Sequence, residues 1–194
     1  MTQTVTQTLA ATDRGRVLLA IARQSLAEAF GRAVAGDPAE AWLAEPGATF
    51  VTLRRDGLLR GCVGTLRAWR PLSDDVRANA RAAAFSDTRF PPLTRDELPE
   101  ISLEVSLLST PEPVSVASEA EALAVLRPGI DGVILEYRDA PQHRATFLPQ
   151  VWEQLPDPRE FLAHLKHKAG LSPTFWHPDL RLWRYTVTKW EEPG

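Results

Sequence analysis

Apolar residues recur along the chain at two spacings, and each spacing predicts a different kind of element. Between residues 13 and 30 they recur every three or four positions, which is the spacing of one buried helix face. That stripe consists of Leu18, Ile21, Ala22, Ser25, Ala29 and Phe30. Thr12 or Asp13 is a suitable N-cap, and the segment 36–38 should stop the helix. We expect the polar, Thr-rich residues 1–11 to be disordered.

Three later segments predict further helices, each from the residues at its start. Ser73 is a suitable N-cap for the second helix, whose apolar positions recur every four residues. Those core-facing positions are Leu72, Val76, Ala80 and Ala84. A capping box spans 118–121, and Asp157-Pro158 opens a helix that Gly170 should end. The buried face of this last helix is Phe161, Leu162, Leu165 and Ala169.

The clearest local signal in the chain predicts a β-hairpin. Two β-rich runs, 49–55 and 58–66, flank the dipeptide Asp56-Gly57. A type I′ turn needs positive φ at both central residues, and Asp-Gly is one of the few pairs that supply it.

The remaining strands are predicted by alternating or β-rich runs. They are 101–109, 133–137, 145–148 and 180–190, with a turn at 139–141. In the first of them Glu104 lies on the polar face, which we expect to be solvated. Runs 49–55, 58–66, 101–109 and 180–190 should share one antiparallel sheet, with the first helix packed on it. Because helices are scattered among hairpins, the pattern favours an α+β fold, an antiparallel sheet flanked by helices, within one domain over 12–194.

Composition places the chain among ordinary globular proteins. Its 194 residues suit one domain, with 44% hydrophobic and 24% charged residues. The lone cysteine, Cys62, fits a reducing compartment, and the first residues lack the features of a signal peptide. No window approaches the roughly 20 apolar residues of a membrane span. We therefore expect a cytoplasmic protein.

Charge is unevenly placed along the sequence. The net charge is −3, yet the segment 54–95 holds nine Arg against four Asp, so it carries +5 and the rest carries −8. A local basic excess can mark a site for an anion or an acidic partner. The alternative is a set of Arg side chains on solvated helix and turn surfaces.

The return strand of the hairpin holds the first candidate site. Gly61 and Gly64 weaken a strand, so they fit a bulge or a place where something approaches the backbone closely. Cys62 lies between them, and Arg60, two residues away and on the same strand face, could lower the pKa of its thiol. A reactive or ligand-contacting cysteine is one interpretation. A small buried apolar residue is the other.

Two further groups could carry chemistry. Asp87 and Arg89, in a proline-rich loop, could hold each other in place or could offer a bidentate fork to an anionic ligand. Late in the chain, His164, His167 and His177 could bind a metal, but the lysines around them would repel a cation. The chain has no Walker loop, G-x-G-x-x-G, H-E-x-x-H or C-x-x-C. We therefore expect neither a metal nor a cofactor.

Several spaced motifs resemble one known family. Residues 59–65, Leu-Arg-Gly-Cys-Val-Gly-Thr, are similar to the LRGCIG motif that marks the AMMECR domain family, with Val in place of the usual Ile. Further segments resemble other family blocks in the same order. They are Pro71-Leu72, the D-x-R-F-x-P-L pattern within 85–93, Glu97-Leu98 with 101–108, 129–133, 145–151 and 161–171.

The resemblance implies a fold and partners but no particular reaction. It implies a two-lobed α+β domain and, for prokaryotic members, similarity to protein A of the AmmeMemoRadiSam system. Such proteins are associated with a MEMO-like protein and a radical-SAM protein. One cysteine cannot hold an iron–sulfur cluster, so this chain is not itself the radical-SAM component.

Three functions remain open after these observations. The first is an accessory protein that binds a small anionic group or an acidic partner at a cleft formed by residues 60–64. The candidate ligand-binding residues there are Arg60, Gly61, Gly64, Thr65, Asp87 and Arg89. The second is an enzyme with Cys62 as the nucleophile, with His143 or His177 as a possible base from elsewhere in the chain. The third, nucleic-acid binding, is disfavoured by a pI near 5.8.

Overall fold

The computed structural model describes residues 13–34, 36, 38–140 and 142–193. Its helices are α1 (Asp13–Ala29), α2 (Leu72–Phe85), α3 (Glu119–Val125) and α4 (Pro158–Lys168), with 3-10 turns at Ala41–Ala44 and Pro149–Glu153. Its strands are β1 (Pro46–Gly47), β2 (Thr49–Arg55), β3 (Leu58–Gly64), β4 (Arg70–Pro71), β5 (Ile101–Leu108), β6 (Glu112–Val114), β7 (Gly132–Tyr137), β8 (Arg144–Phe147), β9 (Leu180–Tyr185) and β10 (Val187–Glu191). The expected disorder of residues 1–11 lies outside the described residues.

The described chain forms two compact units, and helices and antiparallel strands in both confirm the α+β class. The larger unit takes the described residues up to Leu108 and from Thr188 onward, and the smaller unit takes Ser109–Val187. No helix among the described residues is long and apolar enough to cross a bilayer.

The larger unit is built on a four-stranded sheet in the order β10-β5-β2-β3. β2 pairs antiparallel with β3 and with β5, which confirms the first hairpin. Asp56 and Gly57 have φ of 53° and 76°, the positive values that the Asp-Gly turn requires. Helices α1 and α2 pack on one face of this sheet, where the buried side chains form a single apolar core. A separate two-stranded ladder joins β1 to β4.

Two predictions about the helices of this unit need correction. The buried stripe of α1 is wider than expected, because Leu19 and Leu26 are also buried. It is also shorter, because Ala29, at the end of the helix, is exposed. Ser73 does not cap α2, since the helix begins at Leu72 and its N-cap is Pro71, two residues before the predicted position. The Ser73 hydroxyl instead donates to the Leu43 carbonyl.

The predicted last strand, 180–190, is two strands that belong to different sheets. β9 pairs with β6 and β7 in the smaller unit, whereas β10 borders β5 in the larger unit. At Thr186, between them, the backbone N–H bonds the Ser109 hydroxyl, and the carbonyl accepts from the Ser109 N–H. Both halves have the residue pattern of a strand, so the pattern could not show that the chain changes sheets there.

The smaller unit contains the antiparallel sheet β6-β9-β7-β8 and helices α3 and α4. Strands β7 and β8 confirm the second hairpin, although part of its turn lies outside the described residues. The predicted caps are confirmed, since Ser118 and Asp157 accept bonds from Glu121 and Arg159 backbone N–H groups. The core of this unit includes a stacked aromatic pair, Trp152 and Phe161, with ring centroids 3.7 Å apart.

Candidate functional site

Cys62 lies on β3, the terminal strand of the four-stranded sheet in the larger unit, and its side chain is half-buried. It faces Thr52 on β2, and Thr52 in turn faces Glu104 on β5. The Thr52 hydroxyl donates to the Cys62 sulfur over 3.3 Å. Because the thiol is neither fully buried nor packed only among apolar groups, this geometry is compatible with both a ligand contact and a nucleophile.

Asp87 and Arg89 bond the backbone of Cys62 from the outer side of the strand. The Asp87 carboxylate accepts the Cys62 N–H at 2.9 Å, and the Arg89 guanidinium donates to the Cys62 carbonyl at 3.3 Å. The two side chains also hold each other, through Arg89 Nε and Nη2 at 2.9 and 2.7 Å. We call this pair the edge clamp.

The two members of the edge clamp differ in exposure. Asp87 is 6% exposed, whereas Arg89 is 55% exposed. The hydrogen bonds from Arg89 hold the pKa of Asp87 well below its usual range, and the same contact raises the pKa of Arg89. Asp87 therefore stays ionised and holds an outward-facing guanidinium in a fixed position beside Cys62.

Arg60 does not share a face with Cys62, contrary to the sequence prediction. Leu53 pairs with Gly61 and Arg54 with Leu59, so Arg60 is the extra residue of a β-bulge. A bulge shifts the alternation of side chains by one residue. Arg60 accordingly turns away from the Thr52–Cys62 row and binds Glu97, at 2.9 and 3.0 Å.

Glu97 is a site residue that the chemical arguments from the sequence did not single out. It accepts bonds from Arg60, from Arg55, and from the backbone and hydroxyl of Thr94. The Arg60 bond, followed by the Thr94 N–H, lowers the pKa of Glu97 to about 2. The only sequence signal for it was the Glu97-Leu98 pair among the family-like segments. Its role in the structure is to fasten the loop after α2 to the bulge.

The space beside the Cα atoms of Gly61 and Gly64 is occupied by other atoms of the chain. A Cβ on Gly61 would lie 2.1 Å from the Ala83 carbonyl oxygen of α2. A Cβ on Gly64 would lie 2.3 Å from the Phe50 ring and 2.5 Å from the Thr49 carbonyl oxygen. The predicted close approach therefore exists at both glycines, and it is made by helix and strand atoms. Ligand contact at either glycine stays a prediction.

Thr65 belongs to a buried polar network centred on Asp75. The Asp75 side chain is fully buried and accepts bonds from the Thr49 N–H and from both threonine hydroxyls. Arg70 and Asn79 complete the network, at 2.8 and 2.9 Å from the carboxylate. The Thr65 hydroxyl thus joins the end of β3 to α2, and its contact with a ligand stays a prediction.

The basic segment 54–95 is largely balanced by carboxylates, most of them from outside it. Seven of its nine arginines form ion pairs: Arg54 with Glu104, Arg55 with Glu97 and Glu100, Arg60 with Glu97, Arg70 with Asp75, Arg77 and Arg81 with Glu28, and Arg89 with Asp87. A count along the segment could not show the partners Glu28, Glu97, Glu100 and Glu104, because they lie outside it. Neither interpretation from the sequence described this pairing, because one expected an anion site and the other expected solvated arginines.

Glu104 is buried, not solvated as predicted. It is 6% exposed and lies 3.7 Å from both Arg54 and Lys189. The Glu104 carboxylate accepts a hydrogen bond from the protonated form of Glu191, and this bond, together with burial, raises the pKa of Glu191. The polar face of β5 therefore carries a buried charge network in place of a wet surface.

Two of the histidines, His143 and His177, make contacts within the smaller unit. His143 contacts the Ala169 carbonyl at 2.8 Å, and His177 packs against Tyr137 and Phe175. Within the described residues, no three His, Cys, Asp or Glu side chains are grouped so as to hold a metal ion.

The sequence and the fold of this chain are similar to those of known proteins. The AMMECR1 family model matches residues 19–190. A protein of Methanothermobacter thermautotrophicus is 38% identical over 188 residues, which cover 94% of this chain and 96% of that one. A protein of Saccharolobus solfataricus is 38% identical over 169 residues, covering 84% and 74%. The crystal structure of an uncharacterized protein from Pyrococcus horikoshii matches with a TM-score of 0.75 and 31% identity, covering 92% and 91%.

These matches show that the chain has the fold and the ordered sequence motifs of an AMMECR-type protein. It belongs to the AMMECR1 family, which confirms the resemblance noted in the sequence.

Proposed function

We propose that this protein is an accessory component of a three-protein modification system, with a MEMO-like protein and a radical-SAM protein as partners. Its role is to bind an anionic group, carried by a partner or by a partner's product, at the cleft formed by residues 60–64. The chain acts in the cytoplasm.

The observation that carries this proposal is the exposed guanidinium of Arg89. It is 55% exposed, yet Asp87 and the Cys62 carbonyl fix its position. These bonds use Nε and Nη2, and among the described residues Nη1 of Arg89 makes no hydrogen bond. A guanidinium held in place loses little side-chain entropy when an anion binds it.

Arg60 has a supporting role in this proposal. Its side chain is only 11% exposed and is bound to Glu97, so it positions the loop that carries the edge clamp. Substitution of either arginine should weaken binding, Arg89 by direct loss of contact and Arg60 through the loop. Added salt should weaken it further, because exposed charges are screened.

A co-purification experiment tests this function. The tagged chain is incubated at low salt with the MEMO-like and the radical-SAM protein, as wild type, Arg89→Ala and Arg60→Ala. Arg81→Ala is the matched control, since Arg81 is 49% exposed and paired with Glu28 on α1. We expect recovery of a partner with wild type and control, and less with the two variants. Recovery of neither partner, or equal recovery with all four proteins, would contradict the proposal.

One contact favours a second candidate function, an enzyme with Cys62 as nucleophile. The Thr52 hydroxyl donates to the sulfur over 3.3 Å and so holds the half-buried thiol in one orientation. The test is the rate of alkylation by iodoacetamide at a single neutral pH, compared between wild type and Thr52→Val. A slower reaction in the variant supports an oriented nucleophile. Equal rates would remove this candidate.

A further inference from the structure

The free edge of β3 has a defined hydrogen-bonding pattern at Cys62. β3 is the terminal strand of its sheet, so one row of its backbone groups has no neighbouring strand. The N–H and C=O of Cys62 belong to that row, since Asp87 accepts from the first and Arg89 donates to the second. A residue of an added antiparallel strand would accept from the Cys62 N–H with its carbonyl and donate to the Cys62 carbonyl with its N–H. The Asp87 carboxylate and the Arg89 guanidinium make these two bonds instead, so the edge clamp takes the place of one residue of such a strand.

The surroundings of this edge are suited to self-association. Leu58 and Leu66, four residues on either side of Cys62, are 73% and 36% exposed. Arg60 is the only charged residue between them, and Glu97 neutralises it. Two copies could therefore approach edge to edge without like-charge repulsion, and an uncharged apolar edge is prone to such pairing.

We propose that the edge clamp is a plug that keeps β3 from pairing antiparallel with β3 of a second copy of this chain. Pairing centred on Cys62 would make the two Cys62 residues a hydrogen-bonded pair, with Cα atoms about 5.5 Å apart. That distance is within the range of disulfides, so oxidation would report the pairing. The same register would bring Leu58 of one copy towards Leu66 of the other. This inference stands apart from the proposed function, because it concerns only copies of this chain.

The test compares wild type with the double variant Asp87→Ala/Arg89→Ala. Glu28→Ala/Arg81→Ala is the matched control, because it removes an exposed ion pair on the helices. Sedimentation velocity over a range of concentrations gives the dimerisation constant, and diamide treatment reports disulfide formation at Cys62. We expect dimerisation at least about tenfold stronger in the clamp variant than in the other two, equivalent to about 1.4 kcal/mol. Equal dimerisation in all three proteins would overturn the proposal.

A further substitution separates edge pairing from general misfolding. Leu58→Lys, added to the clamp variant, places like charges along the edge and should restore wild-type behaviour. Dimerisation that persists with Lys at this position would show that β3 is not the interface. If circular dichroism shows that the double variant does not fold, Arg89→Ala alone is used, since it frees the Cys62 carbonyl and keeps Asp87. It should still dimerise more strongly than wild type, and equality would again overturn the proposal.

Discussion

Substitution of Gly61 by alanine tests the close packing of the motif strand against α2. The new Cβ would lie 2.1 Å from the Ala83 carbonyl oxygen, and this oxygen is a helix backbone atom that cannot rotate away. The carbon needs roughly 1 Å more room, so strand and helix must move apart in a closely packed interior. Overpacking of this kind destabilises the folded state by about 1–3 kcal/mol. Alanine also lowers the conformational entropy of the unfolded chain, which offsets at most about 1 kcal/mol of that loss. We expect a net loss of about 2 kcal/mol.

Urea unfolding and thermal melts measure this loss. For a chain of this length, a loss of 2 kcal/mol lowers Tm by roughly 4–8 °C. Gly36→Ala is the matched control, because a Cβ on Gly36 meets nothing within 4 Å and its φ is not in the left-handed region. The control should be neutral or slightly stabilising. Equal stability of the two variants would refute the packing argument for Gly61.

Three further predictions concern the neighbouring residues. Gly64→Val should cost roughly 2–3 kcal/mol in urea unfolding, because its Cβ meets the Phe50 ring and the Thr49 backbone; unchanged stability would contradict this. Asp75→Ala should cost roughly 3–5 kcal/mol, since it leaves buried donors and Arg70 unpaired; a loss below about 1 kcal/mol would count against the network. The pKa of Glu97 is about 2 in the folded protein and about 4.3 in the unfolded chain. Its ionised carboxylate should therefore stabilise the folded state fully above pH 4.3, and this contribution should be lost as the pH falls towards 2. Acid titration of stability should therefore be flatter in Glu97→Gln, and identical curves would contradict the assignment.

Features determined by neighbouring residues were predictable from the sequence. The Asp56-Gly57 hairpin and the caps at Ser118 and Asp157 depend only on residues a few positions apart. The ordered motifs, taken together, predicted the family.

Features determined by distant contacts were not predictable in the same way. A bulge at Arg60 depends on the pairing of β2 with β3, and it reversed the predicted face of the guanidinium. Glu97, the partner of Arg60, lies 37 residues away, and Glu28, the partner of Arg77, lies 49 residues away. Sequence reasoning predicted a close approach at Gly61, but only the structure identifies Ala83 as the group that approaches.

Affinity for a purified partner tests the central proposal most directly. The MEMO-like protein and the radical-SAM protein are each titrated with wild type, Arg89→Ala and Arg81→Ala. The titrations are done at low and at moderate salt, and they give three affinities for each partner at each salt concentration. We predict that at least one partner binds wild type and Arg81→Ala equally, that Arg89→Ala binds it about tenfold or more weakly, and that salt narrows the difference. Equal affinity of Arg89→Ala and Arg81→Ala, or no binding of either partner to wild type at low salt, would contradict the assignment of Arg89 as the binding residue.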